Sequence, residues 1–148
     1  MIRASLFLAL ASTVALSACG SPGYVASIPT RAAHECGVTE VVDGDTIRLL
    51  CAQGEVTARL MGYDTPETFR PGCRAEARAG ARATAFLDDT LRTAEVIAPR
   101  VHGHDRYDRP LVALTIDGEA LHKRMIEAGH AVPYSGGQRI DWCAHLRS

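Results

Sequence analysis

Val38 to Val42 and Thr46 to Leu50 are β-branched, apolar runs on either side of Asp43-Gly44, a dipeptide suited to a tight turn. This fixes an antiparallel hairpin at the start of the folded region. Cys36 and Cys51 stand equally far from that turn, so the ladder sets them opposite each other. Of the five cysteines, the four that follow Cys19, namely Cys36, Cys51, Cys73 and Cys143, allow three pairings. Register favours Cys36 with Cys51 and leaves Cys73 with Cys143, which would tie the loop after the central acidic turn to the C-terminus.

Beyond the hairpin, Ala52-Gln53-Gly54 turns the chain, and Glu55 to Met61 alternates. Val56, Ala58 and Leu60 share one face, so Arg59 points away from the apolar row. Gly62 to Pro71 reads as a loop. From Arg74 to Arg92, Ala79, Ala83, Phe86, Leu87 and Leu91 recur at helical spacing. Glu95 to Val101 and Leu111 to Ile116 are two further strands, joined by a polar turn over His102 to Arg109, with Asp117-Gly118 closing the sheet. Leu121, Met125, Ile126 and Ala128 mark a second helix, ended by Gly129. The order β-β-β-α-β-β-α, mainly β with α, predicts a five-stranded OB-type barrel, an architecture that binds oligonucleotides on an open face.

The N-terminal region is of another kind. Residues 1–18, a short basic start and an apolar run, read as a secretory signal. Leu16-Ser17-Ala18-Cys19-Gly20 resembles the lipobox of bacterial lipoproteins, which would make Cys19 a lipidation site and the protein an exported lipoprotein facing the periplasm or cell exterior. An ordinary cleaved signal is the alternative. Residues 19–33, small and proline-punctuated, form a flexible tether, and 34–148 form one domain. That domain is small enough for disulfides to matter, and export permits them. A formal net charge of −1 gives no sign of a tight nucleic-acid grip.

The chemistry-bearing residues cluster in the middle of the chain: Asp43-Gly44-Asp45-Thr46, Arg59, then Asp64-Thr65-Pro66-Glu67-Thr68. Carboxylates and backbone carbonyls at two turns suit Ca²⁺, a hard cation of flexible geometry, and an arginine between them offers a planar fork to a phosphate. Gathering several carboxylates is unfavourable unless a cation neutralises them. The arrangement points to phosphodiester chemistry. His102 and His104 have no third soft ligand nearby in sequence and read as part of a polar loop.

Four pieces in order carry a family resemblance: Val42-Asp43-Gly44-Asp45-Thr46, Arg59-Leu60-Met61-Gly62-Tyr63-Asp64-Thr65-Pro66-Glu67-Thr68, Asp105-Arg106-Tyr107-Asp108-Arg109, and Gly129-His130-Ala131 leading to Tyr134. From Val38 to Tyr134 the chain resembles the staphylococcal nuclease (thermonuclease) family. The resemblance implies that Asp45, Asp64 and the Thr65 carbonyl bind Ca²⁺, with Asp43 assisting. It implies that Glu67 handles the attacking water, that Arg59 and Arg109 bind the scissile phosphate, and that Arg106, Tyr107 and Tyr134 contact a flanking phosphate and a base. The implied activity is calcium-dependent hydrolysis of DNA and RNA by a monomer, endonucleolytic and leaving 3′-phosphate ends. The pattern departs at Asp108, where the family has glycine. Aspartate tolerates a left-handed backbone, yet its carboxylate would stand beside Arg109 and compete with phosphate for it. Two rival readings are a catalytically impaired OB-fold nucleic-acid-binding module and a structural lipoprotein of the envelope.

Overall fold

The computed structural model describes residues 36–147. The signal expected over 1–18, the Cys19 anchor and the tether over 19–33 lie outside them. Strand β1 (Gly37–Asp43) and β2 (Thr46–Cys51) form the expected hairpin. Its turn residues are Gly44-Asp45 rather than Asp43-Gly44, because Asp43 pairs with Thr46. Register shifts between Val38 and Glu40 and between Val41 and Asp43 absorb the difference, so Gly37 faces Leu50 at the far end. Cys36 and Cys51 therefore meet just beyond that pair, in the first of two disulfides; Cys73 and Cys143 form the second. The pairing inferred from register is borne out although the turn lies one residue further on.

Strand β3 (Gly54–Leu60) pairs with β2 through Ile47 and Ala58, and alternation buries Ala58 and Leu60 while turning Arg59 to the opposite face. After Leu60 the chain leaves the sheet. Gly62, at φ 92°, redirects β4 (Gly62–Asp64), which pairs separately with β8 (Val132–Tyr134). Helix α1 (Arg74–Thr93) follows, then β5 (Ile97–His104), β6 (Pro110–Ile116), β7 (Glu119–Ala120), α2 (Leu121–Glu127) and, after β8, α3 (Trp142–His145). The sheet order is β1-β2-β3-β6-β5, with β7 on β6. β3 and β6 run parallel over only two residue pairs.

This mixed α/β arrangement corrects three expectations. The order β-β-β-α-β-β-α lacks the short β4, β7, β8 and α3, and Gly62–Asp64, read as the start of a loop, is a strand because it pairs with β8. No pairing among the described residues joins β1 to β5, so the predicted barrel is found as an open path of strands, with the turn at Gly62 diverting β4 to β8. His102 and His104 belong to β5, where His104 pairs with Pro110, and the polar turn shrinks to Asp105–Arg109. Both histidines are exposed, and neither joins a group of metal-ligating side chains among the described residues.

The core lies between this sheet and the helices. Val38, Ile47, Leu49, Ala58, Leu60, Val112, Leu114 and Ile116 meet Ala83, Leu87 and Leu91 of α1 and Leu121 and Met125 of α2. The α1 residues fall on one stripe. The adjacent stripe carries Glu76 and Gly80, both buried, and faces the loop that follows β4.

Candidate active site

The hairpin turn sits against α1 and β4 with no room to spare. A Cβ on Gly44 would come within 2.9 Å of Ala83 and of the Thr65 side chain. Tyr63, 1% exposed, donates its hydroxyl to the Gly44 carbonyl at 3.0 Å, bolting the turn to β4. Asp45 is thereby buried beside Thr65, whose backbone N–H and hydroxyl donate to Asp45 Oδ2 at 3.3 and 3.1 Å. Thr46 donates to Asp45 Oδ1, and the Asp43 carboxylate accepts the Asp45 N–H at 3.0 Å.

Arg59 reaches this pocket from β3. Its guanidinium pairs with Asp45 Oδ1 and lies 3.2 Å from Asp64 Oδ1. Burial pushes the Asp45 carboxyl up from its ordinary value, Arg59 pulls it partly back, and neighbouring Asp43 adds to the rise. Asp43, Asp45, Arg59, Asp64 and Thr65, picked out in sequence from two turns and a strand, thus form one connected site, to which Arg139 joins the Thr65 carbonyl and Glu67.

Glu67 is oriented by its own loop. Its Oε1 accepts the backbone N–H groups of Thr68 and Phe69 at 3.0 and 3.1 Å, leaving Oε2 directed to the acidic cluster through Arg139. Glu76, which sequence reasoning passed over, organises the loop from beneath by accepting the N–H groups of Glu67 at 3.2 Å and Gly72 at 2.6 Å. An acidic residue at the third position of a helix was the available signal. Gly80 lets the same loop lie on the helix, since a Cβ there would meet the Pro66 carbonyl at 2.7 Å and the Glu67 carbonyl at 3.0 Å. Gly80→Ala should therefore lower stability by about 1–3 kcal/mol from overpacking, where an unobstructed helix position would gain ~1 kcal/mol. Urea denaturation measures the sign, and a stabilised variant would contradict the packing.

Arg139 was also missed. It stacks three contacts on the site: Nε to Asp64 Oδ1 at 2.6 Å, an Nη2 donation to the Thr65 carbonyl at 2.7 Å, and Nη1 to Glu67 Oε2 at 3.4 Å. Carboxylates of Asp64, Asp45 and Glu67 outweigh the cost of its burial and strengthen its hold on its proton. Trp142 completes the arrangement by donating Nε1 to Asp64 Oδ2 at 2.9 Å. Only its place four residues before Cys143 sets Arg139 apart in sequence.

The β5–β6 turn supplies a second group. Arg109 forks onto Asp105 Oδ2 through Nε and Nη2, both at 2.7 Å, and Arg106 lies 4.8 Å above the Tyr107 ring. Burial opposes the charge on Asp105, but the N–H groups of Arg109 and Tyr107 and the Arg109 guanidinium overcome it and hold the carboxyl below its usual value. Asp108 takes the left-handed conformation expected of it, φ 62°. The carboxylate that engages Arg109 is Asp105 rather than Asp108. Arg109 precedes β6 immediately, and in the parallel pairing Leu111 faces Arg59, so alternation puts Arg109 on the Arg59 face of the sheet. Tyr134 pairs with Gly62 across β4–β8 and donates its hydroxyl to Gly137 O at 2.7 Å.

The acidic centre has the donor chemistry of a hard-cation site. Asp45, Asp64 and Glu67 pair with the guanidiniums of Arg59 and Arg139, and Asp43 stands behind Asp45, so four carboxylates meet two arginines, an excess of two negative charges that one divalent ion would neutralise. Cys73, Glu76 and Cys143 also cluster, but both sulfurs are spent in the disulfide and both Glu76 oxygens accept backbone N–H groups. The family model described as "Staphylococcal nuclease homologue" matches residues 57–141, a span that holds Arg59, Asp64, Glu67, Arg109 and Arg139.

Proposed function

We propose, from the premise that this chain belongs to the staphylococcal nuclease homologue family, that it is a Ca²⁺-dependent nuclease cutting internal phosphodiester bonds of DNA and RNA to leave 3′-phosphate ends. The observation that carries the reading is one contact network: Arg59 pairs with Asp45 and Asp64, Thr65 donates to Asp45, and Arg139 joins Asp64, the Thr65 carbonyl and Glu67.

Asp45, Asp64 and the Thr65 carbonyl would hold the ion, with Asp43 bracing Asp45; the ion would offset charge on the phosphate oxygens. Arg59 is fixed by two carboxylates and keeps further N–H donors for an equatorial phosphate oxygen, where negative charge grows as the bond order changes. Arg109 would add a second fork from the same face of the sheet once phosphate competes with Asp105. Glu67, with Oε1 anchored, offers Oε2 to take the proton of a water attacking phosphorus, and the 5′ oxygen leaves on the opposite side. Arg106, Tyr107 and Tyr134 are assigned to the flanking phosphate and base; Tyr107 is 66% exposed, and a base would stack on it in place of the Arg106 guanidinium. The protein would act as a monomer anchored through Cys19 and facing the periplasm or cell exterior, a setting that two disulfides support.

Closed circular DNA is the test. Calcium should convert it to nicked and linear forms, with 3′ ends that resist polymerase extension until dephosphorylated, and excess chelator should abolish cutting. Cutting unchanged by chelator would overturn the calcium dependence. A second reading, a binding module without catalysis, draws on Arg139 at Glu67 and Asp105 at Arg109; it predicts retention of DNA with no nicks under either condition.

A further inference from the structure

We infer that Arg139 is the residue that sets the affinity of this centre for a divalent cation, by competing with the ion for Asp64 and the Thr65 carbonyl. The inference rests on the calcium reading above. Two of the three oxygens that reading assigns to the ion, Asp64 Oδ1 and Thr65 O, accept Arg139 at 2.6 and 2.7 Å. Asp64 Oδ2 accepts Trp142, so the Asp64 carboxylate has no oxygen without a protein donor. An incoming cation must take these oxygens from a guanidinium.

The arginine is no passing surface group. Its segment is bolted at Cys143 to Cys73, next to the start of α1, and held at Asp64 by Trp142. Such a tether keeps the guanidinium at high effective concentration whenever it lifts away, so each binding event of the ion is opposed by an intramolecular rival. Arg59 shares Asp64 Oδ1 but also pairs with Asp45, and it approaches from the sheet side. Among the described residues, Arg139 alone contacts both Asp64 and the Thr65 carbonyl as well as Glu67, so its displacement by the ion would free the Glu67 carboxylate in the same movement.

Calorimetric titration of the oxidised protein with CaCl₂ tests this, with Trp142 emission followed in parallel. Removing one charge-assisted contact pair predicts that Arg139→Gln binds Ca²⁺ about tenfold to a hundredfold more tightly than the wild type. Arg139→Lys, which keeps the charge but loses the fork, should tighten binding less, and it serves in place of the glutamine variant if that one misfolds by circular dichroism. Wild-type emission should change with the same midpoint as the heat, because the ion moves the segment that carries the chain's single tryptophan. Equal or weaker binding in a folded variant would overturn the inference and leave the calcium reading standing. No heat and no emission change in any of the three proteins would remove both.

Discussion

Glu67→Gln should lower turnover on nucleic acid by about two to four orders of magnitude while leaving the fold and nucleotide binding in place. The substitution separates two duties of one side chain. Glutamine retains a carbonyl oxygen for the N–H groups of Thr68 and Phe69, so the loop keeps its internal bonds. What it loses is the charge at the other oxygen, hence the capacity to accept a proton from water. The 3.4 Å contact with Arg139 also disappears, since an amide N–H facing a guanidinium cannot pair with it. Single-turnover cleavage and calcium-dependent binding of a nucleotide inhibitor, measured on the same preparation, distinguish this from general damage. Wild-type turnover in the variant would remove Glu67 from the chemistry.

Much of this site could be read from the chain because its parts are local. Asp43 and Asp45 flank Gly44 at a hairpin turn, Arg59 falls on the polar phase of an alternating strand, and Asp64 and Glu67 bracket a threonine and a proline. Each is fixed by short-range geometry. The two residues that escaped notice act at a distance or from beneath the loop: Arg139 reaches Asp64 across 75 positions of sequence, and Glu76 supports Glu67 from α1, 9 positions on. No periodicity marks a lone arginine in a turn-rich segment, because its role exists only once the disulfide has brought that segment to Asp64. The fold shows the same division. Helices α1 and α2 and the long strands followed from their periods, whereas α3 was not foreseen, and the diversion of β4 at Gly62 and the extension of β5 through His104 are decided by tertiary pairing. The Cys36–Cys51 pairing came out correctly because two bulges compensated for a turn set one residue off.

The Cys73–Cys143 bridge should contribute the largest single share of stability that any one covalent change can remove. It closes a loop of 70 residues, for which chain entropy gives about 4 kcal/mol, against about 3 kcal/mol for the 15-residue separation of Cys36 and Cys51. Replacing both Cys73 and Cys143 by serine should lower the thermal midpoint by more than about 10 °C. The double variant of Cys36 and Cys51 should lose less. The two variants ought also to differ in kind. Opening the hairpin bridge leaves the acidic centre supported by Tyr63 and Thr65, while opening the longer one releases the segment that presses Trp142 and Arg139 on Asp64. Tryptophan emission should then shift to the red only in the second case, as a ring that is 6% exposed comes into water. Calcium affinity should rise alongside, since the competing guanidinium has lost its tether. A red shift without any change in calcium affinity would mean that Arg139 stays on Asp64 unaided, its own ion pairs outweighing the entropy that the bridge removes.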